Sequence, residues 1–135
     1  MKRVFADSLF YIALLNSRDQ FHDRAKQACT EEAGDFVVTT TWVLAEVADA
    51  MTHPSARERC AGFLRNLRHL RNTKIVDGGQ VMFWRALELF SKRPDKEWSL
   101  TDCISFIVMS DEGLTEALTG DRHFEQAGFT ALLRD

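Results

Sequence analysis

The sequence predicts an α/β protein of three layers, a mostly parallel central sheet flanked by helices on both sides. Three observations predict it. Short apolar runs of strand length recur at Val4-Phe5-Ala6, Phe36-Val37-Val38-Thr39, Lys74-Ile75-Val76 and Ala117-Leu118-Thr119. Segments with helical spacing of apolar residues separate them, which is the pattern of parallel strands joined by covering helices. The chain has 135 residues, of which 45% are hydrophobic, with no internal repeat and no linker-like stretch. That is enough for one core, so residues 1–135 read as a single domain.

The elements follow in order. Val4-Phe5-Ala6 is a strand, and Leu9, Phe10, Ala13 and Leu14 give the next segment a helical face, with Asp7 at the joint. A second helix runs from Phe21 to Glu32 and stops at Gly34. After the strand Phe36–Thr39, Thr40 or Thr41 caps a helix carrying Val43, Leu44, Val47 and Met51, with Glu46 on it. The stretch from His53 to Lys74 is an amphipathic helix followed by the strand Lys74-Ile75-Val76. Gly78-Gly79 breaks the chain, and the following helix is expected to turn Val81, Trp84, Leu87 and Phe90, or their neighbours, inward before Pro94 ends it. Ser99-Leu100-Thr101-Asp102 fits a capping box ahead of the apolar run Cys103 to Met109, which Gly113 closes. Ala117-Leu118-Thr119 is a strand with Gly120-Asp121 as its exit. His123 to Ala127 is a short helix, and Phe129 to Leu133 a last strand.

Several classes are excluded. No apolar stretch approaches the ~18 residues of a membrane span, and Asp7 falls where a signal peptide needs its apolar run, so a soluble protein not exported by that route is expected. Cys29, Cys60 and Cys103 are too few and too scattered for a disulfide framework or a thiolate zinc site, which favours a reducing cytoplasm. No glycine-rich nucleotide loop, no Gly-x-Ser-x-Gly elbow and no cysteine nucleophile constellation is present. The Asp-x-Asp of acyl-phosphate chemistry is absent, because Leu9 follows Ser8.

The formal charge of −3 hides an asymmetry. Between His53 and Lys74 stand Arg57, Arg59, Arg65, Arg68, Arg71 and Lys74 against Glu58 alone, so this segment carries +5 and the remainder −8. Arg57, Arg65 and Arg68 share a helical arc of about 80°, whereas Cys60, Phe63, Leu64, Leu67 and Leu70 fill another face. The arginine flank is either a contact for a phosphate backbone or a solvated helix face.

Four carboxylates can converge. Asp7 and Asp121 each follow a strand, and Glu46 and Asp102 lie near the starts of helices; in open parallel sheets such positions meet at the carboxyl ends of the strands. Carboxylates brought together retain protons or recruit a cation, and a hard divalent cation with oxygen ligands is the natural partner. Each acid also has an ordinary alternative: Asp102 as a capping residue, Asp7 and Asp121 as turn or N-cap residues. Glu46 is harder to explain that way, since it lies among Leu44, Ala45, Val47 and Ala48. Among the histidines only His123 falls near these acids, and it reads as a surface or helix-start residue. Trp98, beside the acidic edge, is the one aromatic considered for base stacking.

Taken together, Asp7-Ser8, Glu46 in Trp42-Val43-Leu44-Ala45-Glu46-Val47, Trp98-Ser99-Leu100-Thr101-Asp102-Cys103 and Leu118-Thr119-Gly120-Asp121-Arg122-His123-Phe124 resemble the PIN-domain proteins, and in particular the VapC-type toxins of bacterial toxin–antitoxin pairs. The resemblance spans Arg3 to Leu133. It implies RNA hydrolysis by an acidic cluster, Asp7, Glu46, Asp102 and Asp121, with Mg²⁺ or Mn²⁺ held by Asp7 and Asp102. Glu46 would orient a metal-bound water or help position the ion, Asp121 would act less directly or at a second ion, and Ser8 and Thr101 would hold carboxylates or water in place. Arg57, Arg65 and Arg68 would grip the RNA backbone. A homodimer and a small antitoxin partner are also implied. The alternative is a non-catalytic PIN-like module that binds RNA or protein.

Overall fold

The computed structural model describes residues 1–31 and 34–134. Five strands alternate with seven helices: β1 (Arg3–Ala6), α1 (Ser8–Leu15), α2 (His22–Glu31), β2 (Phe36–Thr40), α3 (Thr41–Ala50), α4 (Pro54–Leu67), β3 (Thr73–Val76), α5 (Gln80–Lys92), α6 (Leu100–Asp111), β4 (Glu116–Leu118), α7 (Arg122–Gln126) and β5 (Thr130–Ala131). Glu32, the expected last residue of α2, lies outside the described residues.

All strand pairs are parallel, in the order β3-β2-β1-β4-β5. The chain runs outward from β1 to β3 on one side and returns to β4 and β5 on the other. The strand order therefore reverses between β1 and β4, where a doubly wound sheet opens its ligand crevice. Val4, Phe5 and Ala6 point alternately to opposite faces, yet each is fully buried, so helices cover both sides of the sheet. Phe10 and Tyr11 of α1, Ala28 of α2 and Phe63 and Leu67 of α4 gather over Val37 and Leu118 on one face. On the other, the Phe124 ring of α7 meets Phe5 at 6.3 Å and Phe106 of α6 at 5.0 Å.

The helix ends follow their local chemistry. Ser99 and Asp102 form the reciprocal capping box that opens α6. Gly113, at φ +70°, closes the same helix, with Leu114 N–H donating to the Met109 carbonyl, the left-handed stop that glycine permits.

The structure settles two helix faces. In α5, Val81, Trp84 and Phe90 are exposed (76%, 56% and 47%), while Ala86 is buried and Met82 and Leu89 pack on the core. Apolar residues surround most of this helix, so periodicity alone does not fix its phase; the Trp42–Phe83 packing at 5.9 Å turns the neighbouring stripe inward. In the arginine segment α4 ends at Leu67 and Arg68 is its C-cap, so Leu70 leaves the helical face and is 39% exposed. The last strand is shorter than expected, although Leu132 and Leu133 still donate to the Ala117 and Thr119 carbonyls.

Candidate active site

The reversal point places Asp7 beside the exit of β4. Asp7 directly follows β1, and its N–H donates to the Leu118 carbonyl, continuing the ladder. The next residue, Thr119, is fully buried; its Oγ1 donates to Asp7 Oδ2 at 2.8 Å and accepts the Asp121 N–H at 3.0 Å. Gly120 lies between them under the Phe21 ring, where an added Cβ would stand 2.5 Å from the ring. The absence of a Cβ at this exit is a packing requirement.

The other acids arrive from two helices. Glu46 sits one turn into α3, whose N-cap is Thr40, with Oγ1 accepting from Val43 N–H at 3.0 Å. Ser8 hydroxyl donates to Glu46 Oε1 across the α1–α3 contact. Asp102 is held in the first turn of α6 by its capping box, with Oδ2 accepting from Ser99 N–H at 3.1 Å. Asp7, Ser8, Glu46, Glu97, Asp102, Asp121 and His123 line one cleft of about 360 Å³. The four acids read from the sequence thus share a single depression. Asp102 and Asp121 fill their ordinary roles as well: Asp121 is the N-cap of α7, accepting from His123 N–H at 2.9 Å.

Thr101 stands in the first turn of α6. Among the described residues its hydroxyl makes no hydrogen bond to any of the four acids; its place in the first helical turn, beside the Ser99 cap, leaves the capping work to Ser99. Trp98 is corrected, being 6% exposed with its indole N–H on Gln126 and its ring against Phe106, a core residue with no open face for a base.

Two residues join the site that the sequence reading left out. His123 places Nδ1 2.9 Å from Asp102 Oδ2 and 3.4 Å from Asp121 Oδ1. Glu97 adds a fifth carboxylate at the rim. The Asp-x-His spacing after a strand was visible, but nothing in it fixed the side chain's direction.

Electrostatics follow from this crowding. Burial first, then the charges of Asp102 and Glu46, push Asp7 up to about 7, against the pull of its Thr119 hydrogen bond. Burial also raises Glu46, opposed by Ser8 and aided by Asp102 and Asp121. Asp102 is raised too, again chiefly by burial, with Ser99 and His123 pulling it back. The cleft lining holds five carboxylates and no Lys or Arg. His123 is the basic side chain among them, and such a set fits a hard cation with oxygen ligands. Asp102, Asp121 and His123 in addition bring one ligand atom each within 4.8 Å of one another.

The arginines lie elsewhere. Arg65 and Arg68 line an open groove of about 630 Å³ with Thr41, Leu44 and Leu64, over Thr73 and Ile75 of β3. Arg57 binds the Thr52 carbonyl at 2.9 Å and faces a separate depression beside Met51 and Glu58. Helix α3 links groove and cleft, since Thr41 and Leu44 line the first and Glu46 and Ala50 the second.

Comparison with known proteins agrees with this architecture. The PIN domain family model matches residues 4–130. The 23S rRNA-specific endonuclease VapC20 of Mycobacterium tuberculosis is 27% identical over 128 residues, covering 93% of this chain and 95% of that protein. The crystal structure of the same VapC20, described as a Sarcin-Ricin loop cleaving toxin, superposes with a TM-score of 0.85 at 26% identity, over 94% of this chain and 96% of that one. VapBC2 from Rickettsia felis, solved bound to a DNA fragment from their promoter, gives a TM-score of 0.69 at 14% identity over 96% of each chain, a likeness of fold alone. With the parallel sheet, the reversal-point cleft and the family match all covering the same residues, the chain belongs to the PIN domain family.

Proposed function

We propose that this protein is a metal-dependent endoribonuclease, the toxin of a toxin–antitoxin pair. The observation that carries the reading is the convergence of Asp7, Glu46, Asp102 and Asp121 in one cleft whose lining holds no Lys or Arg. The relative named as a 23S rRNA-specific endonuclease makes ribosomal RNA the first substrate to test.

Asp7 and Asp102 would hold Mg²⁺ or Mn²⁺ through the oxygens facing the cleft, with Asp121 adding a more distant charge. A bound divalent ion supplies Lewis-acid polarisation of a phosphoryl oxygen and acidifies water. The chain's own groups do the rest. Ser8 fixes Oε1 of Glu46, leaving Oε2 as proton acceptor from the attacking water, and burial makes that carboxylate more basic than an exposed one. Thr119 orients Asp7. Arg65 and Arg68 would receive the RNA backbone in the groove across α3 and supply affinity without reading bases. Arg57, tied to the Thr52 carbonyl, would be the weakest of the three contacts.

The family resemblance adds a small antitoxin partner and a homodimer. Val81 and Trp84 form the exposed apolar stripe of α5 available to a second copy, so Trp84→Glu should shift a dimer to monomer in sedimentation. The three free cysteines, Cys60 and Cys103 buried, suit a reducing cytoplasm. Among the described residues no helix is long and apolar enough to cross a membrane.

The deciding experiment is cleavage of total cellular RNA by wild type and Asp7→Asn in Mg²⁺, Mn²⁺ or EDTA, after any copurifying partner is removed. Discrete fragments that need both metal and Asp7 are expected. Equal silence from both proteins, with no metal or RNA binding by the wild type, would put the non-catalytic module in its place.

A further inference from the structure

We infer that His123 is a positioning residue for the acidic cleft, clamping one oxygen of each of two carboxylates so that the other oxygen of each faces the cation. The inference rests on the nuclease reading and deepens it. His123 joins the carboxylates through two different atoms. Its backbone N–H donates to Asp121 Oδ1 at 2.9 Å, and its ring Nδ1 lies 2.9 Å from Asp102 Oδ2 and 3.4 Å from Asp121 Oδ1. Both ring partners are carboxylate oxygens, which accept, so Nδ1 carries the hydrogen. Asp102 Oδ2 is thereby saturated by Ser99 N–H and His123 together.

The consequence is directional. Among the described residues no donor reaches Asp102 Oδ1 or Asp121 Oδ2, so each acid keeps one oxygen unengaged. The clamp ties the first turn of α6 to the exit of β4. It also places a donor between two acids that repel one another. A direct ligand role for Nδ1 would require breaking its bond to Asp102, and a hard cation gains little from exchanging carboxylate oxygen for imidazole. Fixing ligand carboxylates by hydrogen bonds from outside the coordination sphere commonly governs metal affinity by about 10- to 100-fold.

The test exploits the two ring positions. An Asn side chain places an N–H where Nδ1–H stands, whereas a Gln side chain places it where Nε2 stands. Mn²⁺ affinity is measured by EPR titration of the intact protein without RNA, for wild type, His123→Asn, His123→Gln, His123→Ala and Asp102→Asn, with circular dichroism to verify folding. Affinity in His123→Asn within about threefold of wild type, and about 10- to 100-fold weaker in His123→Gln and His123→Ala, is expected. Equal affinity in all His123 variants would overturn the clamp. So would an equal loss in all three, or ¹⁴N coupling to bound Mn²⁺ in the wild type, which would make the ring a ligand instead. If Asp102→Asn binds Mn²⁺ as tightly as wild type, it is the metal-site reading that fails, and the clamp falls with it for that separate reason. Thermal melting closes the remaining gap: a His123→Ala melting point far below that of His123→Asn without any difference in affinity assigns the ring to fold stability and overturns the proposal.

Discussion

Thr119 and Asp7, 112 positions apart in the chain, share a buried hydrogen bond of 2.8 Å, and the same hydroxyl accepts the Asp121 N–H. One side chain therefore sets the spacing between the acid that ends β1 and the acid that leaves β4. Thr119→Val keeps the shape and removes both bonds, leaving Asp7 Oδ2 and a backbone N–H without partners. A loss of about 1–3 kcal/mol in stability is expected, with cleavage falling about 10- to 100-fold. Thr119→Ser retains both bonds and should stay near wild type. Denaturant unfolding and single-turnover RNA cleavage check the pair; a fully active Thr119→Val would remove the hydroxyl from the site's design.

The buried carboxyl of Asp7 gives the metal-free protein a defined pH response. Its ordinary value of 3.8 is pushed up to about 7 in the fold. Between these limits the folded state binds more protons than the unfolded one, so stability falls as pH rises through the window. The contribution lost amounts to about 4 kcal/mol at most. Asp7→Asn cannot ionise, and its metal-free melting point should exceed that of wild type at pH 8, with the two converging near pH 4. Adding Mg²⁺ or Mn²⁺ at pH 8 should raise the wild type and leave Asp7→Asn nearly unmoved. Thermal scans across this range decide it. A wild type that is the more stable protein at pH 8 without metal would show that the repulsion is relieved in some other way.

These two responses show what the sequence could carry and what it could not. Strand runs such as Val4-Phe5-Ala6 and the Ser99–Asp102 cap are local patterns, and local patterns determined the sheet, the element order and the four acids. Their meeting in one cleft depended on the reversal of strand order between β1 and β4, which the alternation of elements made readable. The failures were matters of direction. His123 occupied a known position, yet only the packing of α7 against α6 aimed its ring at Asp102. Helix α5 carries apolar residues around most of its surface, so its period alone left the inward stripe open, and the structure sets Phe83 against Trp42. Trp98 failed for the same reason: a residue beside a site in sequence can point into the core.

The groove at α4 predicts a salt signature. Arg68 is the helix cap, and among the described residues Arg65 pairs with the strongly exposed Glu58, a contact worth little in water. Both are therefore available to phosphates. Arg65→Gln with Arg68→Gln, made in an Asp7→Asn background to prevent cleavage, should weaken binding to unrelated RNAs alike. The slope of log affinity against log salt should fall by about 1.4, for two contacts to a single strand. Fluorescence anisotropy at several salt concentrations measures this. An unchanged slope would assign the groove to solvent or to a protein partner.

Gly120 offers the most local test of the site's dependence on packing. Its backbone runs between Thr119 and Asp121, and a methyl group there would overlap the Phe21 ring at 2.5–2.9 Å. The ring comes from the segment before α2, so relief requires either the ring or the β4 exit to move. Overpacking of this kind costs about 1–3 kcal/mol. Gly120→Ala should therefore be destabilised and should lose activity through displacement of Asp121, since the Asp121 N–H bond to Thr119 lies one residue away. Phe21→Leu in the same chain shortens the obstructing ring and should recover part of both losses. If the double variant regains stability but not cleavage, the displacement of Asp121 is independent of the clash; if it regains neither, the β4 exit tolerates no Cβ regardless of what packs above it.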